Sequence, residues 1–385
     1  MTTYQRLGDY IREVNVRNRE LKVTKPMGIN IDKHFMPSVA NVIGTDLSTY
    51  KLVSRMQFAC NLMHVGRDEK IPMAMLTEDK TIIVSPAYFV FEVIESNVLL
   101  PQYLMMWFRR KEFDRNAWFY TDADVRGGMS KEALLDMQLP IPSLTRQREI
   151  VAEYETLTNR IHLNNQMIQH LEATAQALYR KTFVDNIDKE NLPEGWRMGT
   201  LGEFGEVITG KTPSTLDESN FGNYMAFVTI PDMHGGFYVI ETERGLSQRG
   251  VAIQANKTIP KNSVCVSCIG TSGLVVITSK ECQTNQQINS IVPQKENALE
   301  YIYLTCCGLE KIIAEYGMGA AVLNNLNKSE FENLRVIVPL DVEMRYFHKQ
   351  VSPVFKTIYL RQQENKKLTE LQSLLLAKMG QHKVM

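Results

Sequence analysis

Apolar residues recur along the middle of the chain at alternating steps of four and three. From Ile150 they fall at Tyr154, Leu157, Ile161, Ile168, Leu171, Ala175 and Leu178, with Asn164 the single polar position on the line. That spacing is the seam of a coiled coil rather than the broader stripe of an ordinary surface helix. The segment from Ser143 to Phe183 holds no Gly or Pro, so it predicts one uninterrupted helix roughly 60 Å long at 1.5 Å per residue. Ser143, just after Pro142, is placed to cap it, and Glu149 lies in the early turns, where the helix dipole favours an anion. A helix of that length with one apolar stripe needs a partner.

The chain supplies one. Superimposing Pro142 on Pro339, an offset of 197 residues, carries Ile150 to Phe347, Tyr154 to Val351, Leu157 to Val354, Ile161 to Ile358, Leu171 to Leu368 and Leu178 to Leu375. The second seam is the poorer copy: Arg361, Asn365 and Gln372 fall on it, and Pro353 predicts a kink or a late start. The repeat extends upstream. The thirteen residues ending at Pro142 (SKEALLDMQLPIP) match those ending at Pro339 (NKSEFENLRVIVP), and Leu7-Gly-Asp-Tyr10 matches Leu201-Gly-Glu-Phe204. The chain is a tandem duplication of a globular unit followed by a long helix, divided as 1–142, 143–184, 185–339 and 340–385, each helix being the other's partner.

Each globular unit reads as α/β or α+β. In the first, Met1 to Val14 opens as a short helix or strand, Thr81 to Val84 and Tyr88 to Ile94 are β-branched and aromatic strand material, and Leu100 to Trp118 predicts a helix carrying Arg109, Arg110, Lys111 and Arg115. In the second, Glu206 to Thr209 and Met225 to Ile230 predict strands. Ser263 to Thr278, with Gly270 and Gly273 inside it, predicts a hairpin, and Leu299 to Tyr316 is the counterpart helix.

Composition adds limits. A length of 385 residues leaves room for two cored domains, and no apolar run is long enough to cross a bilayer. The first residues lack the apolar stretch of a secretory signal, and six cysteines without framework spacing fit a reduced, cytoplasmic setting. Lysine plus arginine and aspartate plus glutamate each number 43. That balance argues against a basic coat, but it is compatible with local basic clefts.

Several motifs suggest catalysis and fail on context. Gly205 to Thr212 satisfies the phosphate-loop pattern, but Pro213 and turn-forming residues follow where the nucleotide site requires a helix. Cys265 and Cys268 have CxxC spacing, but VCVSC reads as a strand that sends the two thiols to opposite faces. His64 has no nucleophile in an elbow context, and Pro231-Asp232 with Glu241 and Glu243 lacks a nuclease lysine. No catalytic residue and no metal ligand set is assigned.

Polar loops on two similar platforms remain. The run from Cys282 to Ser290 is dense in amides of the kind that pair with adenine edges, and arginines suit guanine or phosphate. The candidate DNA contacts are Asn61, His64, Arg67 and Arg126 in the first unit. In the second they are Lys211, Ser214, Thr215, Thr271, Ser272, Asn285, Gln286, Gln287, Asn324 and Asn325. A coiled-coil scaffold without DNA contact is the rival reading of a different class.

Three features together make the chain resemble the specificity subunits of type I restriction-modification systems: Leu192-Pro-Glu-Gly-Trp196 leading into Leu201-Gly-Glu203, Ile208-Thr-Gly-Lys-Thr-Pro-Ser214, and Leu139-Pro-Ile-Pro142 leading into Arg146-Gln-Arg-Glu-Ile150. The resemblance implies two target recognition domains, each reading one half of a bipartite target in double-stranded DNA. It implies that the two long helices pack as an antiparallel coiled coil that spaces the half-sites, with two methyltransferase subunits docked on it and a restriction subunit able to join. S-adenosylmethionine, Mg and ATP, like the catalytic residues, would belong to those partners, and this chain would hold no cofactor. A related restriction enzyme whose cleavage and methylation activities share one partner chain would use a similar subunit. Two departures stand out: the first unit lacks a Pro-Glu-Gly-Trp opening, and the second helix has no counterpart of Gln147, which puts the details of docking on that side in question.

Overall fold

A computed structural model describes residues 4–39, 44–63, 65–121, 127–317 and 326–380. Contacts divide the chain into one unit of residues 1–160 with 368–385 and a second of residues 161–367. The long helices run Leu144–Phe183 and Asp341–Lys378, and each unit therefore contains a segment of both.

The seam residues lie where the periodicity puts them. In the second unit Ala175 and Phe183 of the first helix join Met344, Phe347, Val351, Phe355 and Ile358 of the second in one buried cluster, with Ile168, Leu171, Leu178 and Val354 against it. Asn164 donates to Asn365 at 2.9 Å while Phe183 packs 5.1 Å from Phe347 between ring centroids, so the two segments run antiparallel. In the first unit Ile150, Val151 and Tyr154 enter the core with Met379 and Leu376, and Gln372 donates to Thr158 at 2.7 Å. Leu157, Ile161, Leu368 and Leu375 are half-buried along the same line. Polar seam positions of one helix thus meet polar positions of the other, and the buried Asn164 in particular gains the partner it would otherwise lack.

Pro353 corrects one expectation. The second helix starts at Asp341 and passes through it without interruption. Pro353 is exposed, so water can solvate the carbonyl it leaves without an N–H partner. Gln147 is not on an accessible face either. It is fully buried, accepting from the Leu100 amide and donating to the carbonyls of Val98 and Pro142, and so it ties the helix start to its own unit.

The duplication is visible strand by strand. In the first unit Tyr4–Arg6 pairs antiparallel with Gln138–Pro140; in the second Arg197–Thr200 pairs antiparallel with Arg335–Val338. The main sheet of the first unit has the order Ile11–Glu13, Phe89–Val93, Phe58–Cys60, Met73–Met75. That of the second has Gly205–Thr209, Ile288–Pro293, Val264–Ser267, Val275–Thr278, with Tyr238–Val239 added at the edge. A smaller sheet in each holds a parallel pair, Pro26–Ile29 with Ile82–Val84 and Phe221–Val228 with Cys282–Thr284. From Tyr4 to Glu13 the chain is strand, 3-10 turn and strand, the second of the two openings the sequence allowed.

The aromatic helix of each unit is broken where one helix was expected. Pro101–Phe108 and Lys111–Phe119 flank Arg109 and Arg110, as Leu299–Gly308 and Glu310–Gly317 flank Leu309. Arg110 has extended backbone (φ −73°, ψ 139°) and starts the next helix. Its guanidinium lies 4.1 Å from the Trp107 ring and donates to the Leu376 carbonyl at 2.9 Å. The basic run is therefore divided: Arg110 is buried and structural, whereas Lys111 and Arg115 stay exposed. Ser130 and Asn327, equivalent in the repeat, both cap the short helix that follows them.

Phe183→Ala should lower stability by about 3–5 kcal/mol through the cavity it leaves among Phe347, Tyr301 and Trp196. Leu163→Ala, exposed on the same helix, should stay within about 0.5 kcal/mol. Urea unfolding of the two variants checks the contrast.

Candidate nucleic-acid interface

Three loops of the second unit converge at one end of its main sheet. The first follows Gly205–Thr209 and begins Gly210-Lys211-Thr212; the second precedes Ile288–Pro293 and is Asn285-Gln286-Gln287; the third links Val264–Ser267 to Val275–Thr278 and holds Gly270, Thr271 and Ser272. Because the neighbouring strands are antiparallel, the end of one meets the start of the next.

Hydrogen bonds tie the loops together. The Thr212 hydroxyl donates to Gln286 Oε1, the Asn285 amide to Gln287 Oε1 at 3.0 Å, and the Cys268 N–H to the Gln287 carbonyl at 2.8 Å. The Ser267 hydroxyl donates to the Thr271 carbonyl at 2.6 Å and accepts from the Leu274 N–H at 2.8 Å, which shapes the hairpin. Gly270 and Gly273 adopt positive φ there, a conformation strained for residues with a Cβ. Ser272 Oγ is buried with no partner among the described residues.

The apparent phosphate loop is part of this packing. The N–H of Gly210 bonds to the Ile288 carbonyl at 3.0 Å and that of Lys211 to the Thr284 carbonyl at 2.9 Å, so neither is free to cradle a phosphate. Gly210 is required by closeness: a Cβ there would lie 2.1 Å from the Asn285 carbonyl oxygen and 2.2 Å from Thr284 Oγ1.

The amide-rich run divides by role. Gln283 is buried and bonds to Gln254, Val251 and Thr258, and Asn289 is buried against Thr209, Cys268 and Leu326. Asn285 is 8% exposed and holds Gln287 in place, while Gln286 is exposed and Gln287 half-exposed. Lys211, Ser214, Thr215 and Thr271 are exposed, and Lys211 pairs with no carboxylate among the described residues. Asn324 and Asn325 lie outside the described residues.

The first unit repeats the arrangement with different residues. Asn61 ends Phe58–Cys60 as Cys268 ends Val264–Ser267; its side chain accepts from the Met63 N–H at 3.0 Å and its backbone N–H bonds to the Pro72 carbonyl. Arg67 sits on the short helix Val65–Asp68 in that loop; His64 and Arg126 fall outside the described residues. The loop matching Asn285–Gln287 is Ser85–Tyr88, and the one matching Gly210–Thr215 begins at Asn15 and carries Arg17 and Arg19. Arg17 donates to the Thr49 carbonyl at 2.6 Å; Arg19 is exposed and unpaired among the described residues. Neither loop was a candidate from sequence, although carrying the repeat on from Val84 to Thr284 would have found Ser85–Tyr88.

The catalytic alternatives find no site among the described residues. No group of three or more His, Cys, Asp or Glu could hold a metal, and Cys265 and Cys268 enter different buried clusters. Burial pushes their thiols up, to about 12 and about 11 respectively. Asp232 is engaged in capping, accepting from the Thr229 N–H and hydroxyl and from the Glu243 N–H. Among the described residues no helix is long and apolar enough to cross a membrane.

Two polar loop platforms built on one topology define the class, a protein made of repeated recognition domains, and the comparisons agree with it. Residues 193–370 match the type I restriction modification DNA specificity domain. The chain is 30% identical to the type I restriction enzyme HindI specificity subunit of Haemophilus influenzae, over 77% of this chain and 80% of that one. It is 22% identical to the MjaIX specificity subunit of Methanocaldococcus jannaschii, over 74% and 70%. The fold matches the crystal structure of a type I restriction-modification system S subunit from M. genitalium with a TM-score of 0.59, 11% identity, and 98% and 96% of the two chains covered. The chain belongs to the specificity subunits of type I restriction enzymes, and it is a non-catalytic specificity subunit.

Gly210→Ala should cost about 1–3 kcal/mol by forcing these loops apart, whereas Gly308→Ala, whose Cβ would meet nothing within 4 Å, should be near neutral. Urea unfolding distinguishes them.

Proposed function

We propose that this chain supplies DNA sequence specificity to a type I restriction-modification complex, each unit reading one half of a bipartite target. The observation that carries this reading is the shared topology with unlike loops: Lys211, Gln286, Gln287 and Thr271 in one unit stand where Arg17, Arg19, Ser85 and Asn61 stand in the other. Two readers with one scaffold and different side chains select two different words, so the target is asymmetric. Lys211, Ser214, Thr215, Arg17 and Arg19 suit phosphate contacts; Gln286, Gln287 and Thr271, and Asn61, His64, Arg67 and Arg126 in the first unit, suit base edges. Thr271 stands beside Ser272, and Asn324 and Asn325 follow the counterpart of the Arg126 segment. Asn285 acts through Gln287.

The long helices set the gap between the half-sites and dock two methyltransferase subunits, to which a restriction subunit can be added. S-adenosylmethionine, Mg and ATP serve those partners. With Lys plus Arg equal to Asp plus Glu at 43 each, the chain alone binds DNA weakly and the partners provide much of the phosphate contact.

Methylation mapping in cells expressing this chain with its methyltransferase subunit, against cells lacking the chain, tests the reading. The expected result is a bipartite, asymmetric methylated motif that vanishes without the chain. A palindromic motif would refute the asymmetry, and unchanged methylation with the chain still in a stoichiometric complex would favour a scaffold.

A further inference from the structure

The first unit holds a cavity of about 500 Å³ at the end of its main sheet opposite the Asn61 and Ser85 loops, walled by the helix Pro101–Phe108, the Asn30–Phe35 turn and residues 151–159 of the first long helix. Its charged lining is unusual. Lys33 is buried, but Asp114 compensates it at 2.7 Å and the Phe108 carbonyl also accepts from it. Lys80 at the rim pairs with Glu78. Arg109 has no such partner: it makes no ion pair with Glu78 or Glu155, the carboxylates on the same wall, and its Nε is enclosed with no acceptor among the described residues. Its guanidinium lies 6.0 Å from the Tyr154 ring centroid. His34 lines the same space, held towards its neutral form first by burial and then by the Arg109 charge. The remaining wall mixes the polar Thr77, Gln102, Thr158 and Asn159 with a larger apolar, adaptable part that includes Met27, Met75, Met105, Met106 and Tyr154.

The duplication separates this cavity from the recognition scaffold. Tyr103 and Tyr301 are equivalent, each donating to a carbonyl of the closing strand, Pro140 and Ile337. Counting from them, Arg109 corresponds to Cys307, and the helix repeat places Val351 at Tyr154. The second unit therefore lacks the cation and the ring, and what this cavity does is not shared by the two readers.

We propose that the cavity is a binding site for a small amphipathic anion: one carboxylate or phosphate group on an apolar body. Arg109, which makes no ion pair with the carboxylates on the same wall, and His34 hold the anionic group, and the methionine wall takes the apolar part. Because residues of the recognition unit and of the first long helix share the wall, an occupant ties the two together within this unit.

Calorimetric titration of the full chain with 4-phenylbutyrate, phenyl phosphate, inorganic phosphate and the neutral 4-phenylbutanamide tests this. One or both amphipathic anions should bind at least ten-fold more tightly than inorganic phosphate and than the amide; which of the two binds identifies the headgroup. Arg109→Gln should weaken that binding at least ten-fold with the unliganded melting temperature little changed. Methyl NMR of Met105 and Met106 in the unsubstituted chain reads the same site without a variant, and both signals should shift on addition of the binding probe. Equal binding of inorganic phosphate or the amide, unshifted methionine signals, or affinity that survives Arg109→Gln would overturn the assignment.

Discussion

The pairing of two long amphipathic helices is the constraint on which each unit depends. Neither helix could stay in water with a seam of Ile, Leu, Val and Phe exposed, and neither globular core is closed without segments of both. Phe183, Phe347, Val351 and Ile358 fill one core, and Ile150, Tyr154 and Met379 the other. Polar residues on the seam make the pairing selective. The buried Asn164 meets Asn365, and Gln372 meets Thr158 nearer solvent; a shift of register would leave Asn164 buried without that partner.

On that base the duplication kept the scaffold and released the loops. The strand order, the parallel pair in each small sheet, the broken aromatic helix and the Ser130 or Asn327 cap recur because each supports the core. The sheet-end loops carry no such burden. Lys211, Ser214, Thr215, Thr271 and Gln286 face solvent, while the backbones are fixed by Gly210 against Asn285, by Ser267 inside the hairpin and by Asn61 at its turn. A rigid backbone presenting replaceable polar side chains is suited to reading varied base edges.

Much of the architecture was legible in the sequence because it rests on periodicity. Seam spacing predicted the first helix and the start of the second within a residue of where they fall, whereas the second ends at Lys378, short of the expected 385; the offset of 197 residues predicted the repeat. The Ser263–Thr278 hairpin was legible from its glycines. What failed depended on tertiary neighbours. Pro353 looked disruptive because its exposure cannot be read locally, and Gln147 was weighed for docking although its amide is used inside the unit. Arg110 looked like a phosphate ligand until Trp107 and the Leu376 carbonyl took its charge and donors. Residue type alone likewise made Gln283 and Asn289 resemble Gln286 and Gln287. Burial divides the four, and the Ser85 and Arg17 loops were missed because polar composition, not position in the repeat, guided the choice.

The central claim is that each unit reads its own half of the target. The most direct measurement is methylome sequencing of cells carrying the Gln286→Ala/Gln287→Ala double variant in the complete methyltransferase complex. The account predicts that one half of the methylated motif loses discrimination at one or two positions, while the other half and the gap between them stay as they were. Altered bases in both halves, a changed gap, or an unchanged motif would contradict it.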